Sequence, residues 1–300
     1  MLSRNELIDI YAQDRWAQRI GTEITTLTDT HIELHLPFRQ QNMNLGGRMH
    51  GGVIGSILID SAKLLAQAYC ENDGELSFRL MDFQINYFKA GGPEPLKTVA
   101  TVTRKTREFL FTRCEVHNQQ NETLAAANVL IRIYTPSAIP APTRHQQDKS
   151  KKIALVADEI AKNAPNYHLV EIFNNMMAPI YPGSYVHYMS EGYAEMTQED
   201  FPEQYDYQGN ISAGQLLLFF DNVSGCSGGS LAEEFGMAVT LTIQASFCEP
   251  ARNENLIGTS KAYYREDGMT NNEVHIYGAE TGHLKMFGTM THLARSLRKK

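Results

Sequence analysis

Apolar positions along the chain change period several times, and the changes sketch its elements. Residues near 3–18 set Leu7, Ile8, Tyr11, Trp16 and Ile20 close to one side, the spacing of one amphipathic helix. "THIELHLPF" then alternates Ile32, Leu34 and Leu36, as a half-buried strand does. The turn "QQNMNLGGRMHGG" leads into an apolar helix expected from about Val53 to Cys70. Three strand-like runs follow: "FRLMDFQINYFKA", "KTVATVTRKTREFLFTRCEVHN" and "ETLAAANVLIRIY". The second is long enough to require a bend.

"PSAIPAPTRHQQDKSKK", residues 136–152, has no periodicity and reads as a linker. Beyond it the order recurs. A helix is expected at "YHLVEIFNNMM" and a strand around "SYVHYMSEGYAEM". The turn "DYQGNISAG" runs into the helix "QLLLFFDNVS", and strands follow at "MAVTLTIQASF", "IGTSKAYY", "NNEVHIYGAE" and "LKMFGTMTHLA". The recurrence reaches individual letters. "EVHNQQNET" and "EVHIYGAET" agree at five positions, which sets His117 against His275. "QINYF" and "QASFC" stand 160 apart, and the helix aspartates Asp60 and Asp221 stand 161 apart. A shared offset of domain size indicates a tandem duplication rather than a solenoid. The expected fold is α+β, two copies of a central helix wrapped by an antiparallel sheet, with sheets able to pair edge to edge. The domains are expected at 1–135 and 153–300.

Composition narrows the function classes. Hydrophobic residues make up 42% of 300, enough for a packed core. The net charge of −7 argues against nucleic acid as the main partner. Residues 1–150 hold 16 basic and 16 acidic side chains and residues 151–300 hold 11 and 18, so an anionic ligand should favour the first half. The four cysteines show neither CxxC nor metal-ligand spacing, as expected of reduced thiols in the cytoplasm. No metal is expected: HxH and HExxH are missing, the HxxxH of His31 and His35 falls on the polar face of a strand, and no phosphate loop occurs. The N-terminal stretch "MLSRNELIDIYAQDRW" lacks a signal-like apolar region, and no membrane span is expected.

The chemistry concentrates in "NMNLGGRMHGGVIGSILIDSAK". Glycines ahead of a helix let a ligand approach the backbone, and the free amides of a helix start attract a polarised oxygen. An aspartate among Ile57, Leu58, Ile59 and Ala62 is costly unless paired or used. This stretch resembles the hot-dog acyl-CoA thioesterases of the phenylacetate-pathway type, in which His-Gly-Gly opens a central helix. The resemblance covers both halves and implies a double hot dog.

It also implies a site between copies. One copy supplies Asn and the His-Gly amides; the facing copy supplies Asp and a strand hydroxyl. Asn44, His50, Gly51 and Gly52 match the first set, whereas the second copy has Ser212, Ala213 and Gly214. The family's six residues between Gly-Gly and Asp recur only before Asp221; Asp60 comes one residue late, a turn of about 100° around a helix. The hydroxyl position is Thr240 in the second copy and Leu80 in the first. The resemblance therefore implies one complete site from Asn44, His50, Gly51, Asp221 and Thr240, and a degenerate one at Asp60, Ser212 and Gly214. Gly51 would serve the oxyanion, Asp221 would be base or nucleophile, and Gly52 would line the substrate. The substrate is expected to be acyl-CoA, with no other cofactor, and the chain a monomeric pseudo-dimer or an oligomer of it.

Plainer readings stand beside these. Asp221 with Asn222 could cap a helix break, and His50 could serve only its turn. Arg104, Lys105 and Arg107 could hold the nucleotide or form a solvated hairpin end. Leu58, Met81, Phe83, Leu217 and Phe219 are candidates to line an acyl pocket. The alternative functions are non-catalytic acyl-CoA binding and a hot-dog hydratase or dehydratase.

Overall fold

The computed structural model describes residues 4–73, 76–135, 153–231, 237–264 and 268–295. The expected linker, 136–152, lies outside them. Helices α1 (Arg4–Ala12) and α2 (Arg15–Ile20) replace the single N-terminal helix read from periodicity. Asp14 causes the break: its extended backbone stops α1, and its carboxylate accepts the Ala17 amide to cap α2. Strands β1 (Glu23–Leu27) and β2 (His31–Leu36) follow, and β2 buries Ile32, Leu34 and Leu36 as the alternation requires. β1 was not legible, since "EITTL" buries only one side chain fully.

The central helix α3 (Gly51–Asp73) leads to β3 (Ser77–Tyr87), β4 (Leu96–Lys105), β5 (Phe109–His117) and β6 (Thr123–Tyr134). What was read as one bent strand is the β4–β5 hairpin. Thr106 closes it, its hydroxyl oxygen accepting the Phe109 amide at 3.0 Å. The second half repeats the order. Short α4 (Asp158–Lys162) precedes α5 (Tyr167–Met177), then β7 (Ser184–Ser190) and β8 (Tyr193–Gln198). "SEGY" is the turn between the last two rather than part of one strand. Glu191 and Gly192 both adopt positive φ there, the geometry of a tight hairpin. The second central helix α6 (Ala213–Gly229) precedes β9 (Met237–Phe247), β10 (Leu256–Tyr264), β11 (Met269–Gly278) and β12 (Leu284–Arg295).

All twelve strands form one sheet in the order β1-β2-β4-β5-β6-β3-β9-β12-β11-β10-β8-β7. The order reads alike from both ends, as a duplicated unit joined edge to edge must. At the join Gln84 of β3 faces Gln244 of β9, so the 160-residue offset is the pseudo-twofold itself. The edges β3 and β9 are thereby paired, leaving β1 and β7 as the outer strands. The sheet curls around α3 and α6, and Gly51–Cys70 shows why an apolar helix need not imply a membrane: 83% of its most apolar window is buried.

The two helices pack unusually close. A Cβ at Gly52 would lie 2.8 Å from the Leu218 Cα, one at Gly55 would strike Leu217, and one at Gly214 would strike Ser56. Glycine is therefore required here for helix contact. Leu58, Phe83, Leu217 and Phe219 are fully buried in this shared core.

Ladder register also corrects the letter match. Cys114 faces Ala127, which faces Ile85; Val274 faces Gly288, which faces Ala245. Cys114 thus matches Val274, and His117 matches Tyr277 rather than His275. The "EVH" coincidence is two residues out of phase.

Candidate active site at the domain interface

The turn before α3 sets the first half of the site. His50 is the last residue before the helix, and its Nδ1 accepts the Gly52 amide at 2.9 Å. That bond leaves the ring proton on Nε2, which donates to Asn222 Oδ1 of the other half at 3.1 Å. The Tyr181 ring meets His50 edge-on at 5.4 Å, and Tyr87 anchors the Gly51 carbonyl with a 2.7 Å bond. Among the described residues, the Gly51 amide, first of the helix, finds no acceptor. It is a donor in reserve.

Asp221 of α6 faces this helix start. A Cβ on Gly51 would sit 3.2 Å from its Oδ2 and 3.5 Å from Thr240 Oγ1. Oδ2 also lies 3.2 Å from His50 Nδ1, while Thr240 donates to Oδ1 at 3.0 Å. His292 of β12 closes the far side, with Nε2 3.7 Å from Oδ1. Asn272 of β11 donates to the Ser224 carbonyl at 2.7 Å, which fixes its amide nitrogen toward His292 Nδ1 at 3.4 Å. Nδ1 is then the acceptor and Nε2–H points at the carboxylate. Burial opposes charge on Asp221, but His292, His50 and Thr240 outweigh it and hold the pKa below the usual carboxylate value. Burial lowers the His50 pKa against the pull of Asp221.

Residues 46–125 match the model of the thioesterase superfamily. No curated protein matches the chain in sequence. Among solved structures, the chain is similar to a conserved protein of unknown function with hot dog fold from Alicyclobacillus acidocaldarius. That match has 12% identity and a TM-score of 0.60, covering 90% of this chain and 95% of the other. An acyl-CoA thioesterase II from Mycobacterium marinum is similar at 13% identity and a TM-score of 0.57, over 92% and 97%. A tesB protein from Mycobacterium avium subspecies paratuberculosis gives 10% and 0.57, over 91% and 96%. The chain is a double hot dog.

Within the double hot dog, the structure brings His50, Gly51, Asp221 and Thr240 together across the two halves. Helix α6 runs unbroken through Asp221, so the aspartate caps no helix break. Asn44 is used differently from the expectation. Its Oδ1 accepts the Gly46 and Arg48 amides at 2.9 and 3.1 Å and so shapes its own turn. Gly52 is packed on Leu218 with its amide capped, and lines no opening. The basic hairpin lies at the other end of α3. Arg104, Lys105 and Arg107 are exposed, and the Lys105 ammonium sits 4.0 Å from the centre of the Tyr69 ring, about 27 Å along the helix from Gly51. That placement fits the solvated-hairpin reading.

Among the described residues, the mirror position holds no second copy of the site. The bridges Met43–Met49 and Tyr205–Ile211 align the two turns at an offset of 162, so Asp60 matches Asn222 and Asp221 matches Ile59. Ser212 does what His50 does for its helix, its Oγ accepting the Gly214 amide at 3.2 Å. Asp60 instead takes a 3.4 Å bond from Tyr11, and burial, then Asp14, raise its pKa to about 8. About one helical turn on, Lys63 reaches across to Asp206 at 2.9 Å, a pair almost wholly buried. Burial opposes charge on Lys63, yet Asp206 and its neighbours push its pKa up. Lys63 matches Gly225, where an added Cβ would meet no atom within 4 Å. The space an ammonium fills on one side is open on the other.

His292 and Asn272 were missed. Each is a polar strand residue among other polar residues, distant in sequence from Asp221. Only the β9–β12 ladder, which sets His292 opposite Thr240, brings the histidine into the site.

Proposed function

We propose that this double hot dog hydrolyses acyl-CoA thioesters to the free acid and coenzyme A at the Gly51–Asp221 site. The observation carrying this reading is the ionised carboxylate of one half held against the unsatisfied helix-start amide of the other. The thioester carbonyl oxygen would take the Gly51 N–H, where pre-aimed donors are worth most as negative charge develops. Asp221 would accept a proton from water as the water oxygen attacks the carbonyl carbon. The C–S bond then breaks, and the carboxyl returns that proton to the sulfur. Thr240 holds Oδ1, which leaves Oδ2 turned toward the reacting atoms. His50 and Asn44 are positioning residues: one caps the helix and ties it to Asn222, the other shapes the turn. The opening beside Gly225 is the route by which the coenzyme would leave the protein surface.

The test is thiol release from a panel of short, medium and aromatic acyl-CoAs. A catalysed rate well above the buffer rate on at least one member supports the reading; none on any member refutes it. Single-turnover hydrolysis in ¹⁸O-water separates the two roles of Asp221. Label in the protein carboxylate indicates a nucleophile; label in the product acid alone fits a base or water attack on the acyl carbon of an anhydride, which trapping of the acyl-enzyme then separates.

A further inference from the structure

The turns before the two central helices are built alike, yet the spaces they face hold different groups. Asn44 matches Asp206, and Gly47 matches Gly209, with φ of 72° and 73°. Asp206 Oδ1 accepts the Gln208 and Asn210 amides at 3.0 Å each, which repeats the two bonds of Asn44 Oδ1. The second polar atom of each side chain is therefore aimed alike. In Asp206 that atom is Oδ2, which meets the Lys63 ammonium at 2.9 Å. In Asn44 it is Nδ2, and the position matching Lys63 is Gly225, where an added Cβ meets nothing within 4 Å. The Asn44 donor thus points into the space that a lysine fills on the mirror side.

A second amide borders this space. Asn222, the match of Asp60, spends its Oδ1 on His50 Nε2 and keeps its Nδ2 as a donor. Among the described residues neither Nδ2 has a protein partner, and neither is sealed from solvent. Within α6, the residues past the first that are not buried are Asn222, Gly225 and Gly229, steps of three and four along one face. On α3 the matching Asp60 and Lys63 are buried. His50 touches both Asp221 and Asn222, so the open stripe begins at the reacting groups. It ends at Gly229, about 12 Å farther along the axis.

Two acids and a lysine have thus become two amides and a glycine. That leaves no charge at these three positions to hold a phosphate, and an aliphatic chain laid here would leave both donors unpaired. A neutral chain carrying carbonyl oxygens satisfies both. The thiol arm of coenzyme A is such a chain, uncharged and bearing two amides between the sulfur and the nucleotide. Its first amide carbon is four bonds from sulfur, about 5 Å when extended, and Gly225 lies about 6 Å along the helix from Asp221.

We propose that Asn44 and Asn222, on either side of Gly225, bind the amide carbonyls of the thiol arm, so that the leaving group is recognised as a pantetheinyl thiol. Asn44 then has two uses, its oxygen for the turn and its nitrogen for substrate. The site rests on the hydrolase reading above but is separable from it.

The experiment takes one acyl group on three thiols: coenzyme A, pantetheine, and ethanethiol, which carries no amide. Asn44→Asp keeps the turn acceptor, as Asp206 shows, and replaces the donor with an acceptor. Its kcat/KM should fall about tenfold or more on the coenzyme A and pantetheine thioesters alike, and stay within about twofold on the ethyl thioester. Comparing each substrate with itself across the two proteins cancels its intrinsic reactivity. Asn222→Asp, which keeps an acceptor for His50, should lower the same amide-to-ethyl ratio. A ratio that survives either change, or a loss confined to the coenzyme A thioester, overturns the site and leaves the hydrolase reading intact. If no thioester is cleaved, that reading falls and calorimetry with S-methylpantetheine, which cannot be hydrolysed, decides the site alone. Binding to the wild-type chain that weakens about tenfold in Asn44→Asp supports it; equal binding, or none, overturns it.

Discussion

The two central helices begin alike and diverge within three turns. Each opens with a residue that caps the amide two positions on, His50 for α3 and Ser212 for α6. On α6 the next features are an ionised acid and an open position at Gly225. On α3 they are an acid pushed toward its neutral form and a lysine filling the matching space. Duplicated scaffolds need only one working site. The other interface half is then free to take groups that fasten the domains together. The Lys63–Asp206 pair does this, joined by the Tyr207 amide bonding to Asp14 at 3.0 Å and the Tyr207 hydroxyl bonding to Gln67 at 3.0 Å. Such pairs are costly to bury and costlier to break, so they suit a fixed joint better than a site that must admit substrate.

The comparison breaks most directly at the two aspartates. Asp221→Asn should lower kcat by about 10²–10⁴-fold, the usual worth of a positioned base, while Asp60→Asn should leave it within about twofold. Loss of turnover in Asp60→Asn instead would place the chemistry on the wrong side of the pseudo-twofold. Copying the plug sharpens the point. Gly225→Lys puts the α3 residue into the open space and should cut kcat/KM by at least about tenfold through occlusion. The same change should not lower the denaturation midpoint, because glycine inside a helix is the weaker residue. Full activity in that variant would show that the opening is no route to the site.

The smallest effect concerns pH. Asp60 has a folded pKa of about 8, above its ordinary unfolded value, so folding binds a proton between the two. That contribution is complete below about pH 4 and is lost as pH rises toward 8, by at most about 1.4 kcal/mol per pH unit. Midpoints of wild type and Asp60→Asn, measured from pH 5 to 8, should converge at the acidic end and favour the variant at the basic end. Parallel curves would mean that Asp60 stays ionised. Asp221 contributes the opposite sign, since its folded pKa is lowered: its stability is present above the ordinary carboxylate range and is lost on acidification.

Much of the architecture was legible because periodicity is a local property. The alternation in "HIELHL" and the apolar run after Gly-Gly required no knowledge of neighbours, and they lie where expected. The split between α1 and α2 and the two hairpins were misread. A capping Asp14, a Thr106 turn and a positive-φ Glu191–Gly192 pair interrupt an apolar pattern without changing its period. The pairing of His50 and Gly51 with Asp221 and Thr240 could be anticipated from unequal loss between copies.

What the chain determined by itself, then, is its duplication, the type of most of its elements, and the division of His50 and Gly51 to one half and Asp221 and Thr240 to the other. Tertiary structure alone decided that Asn44 spends its oxygen on its own turn, that Lys63 closes the mirror space, and that His292 and Asn272 stand behind the acid. The physical reason is that a strand residue's partners are set by ladder register, and a helix residue's by its angle around the axis. Both place side chains against groups a hundred or more positions away, as Lys63 against Asp206 shows, where no neighbouring letter records them.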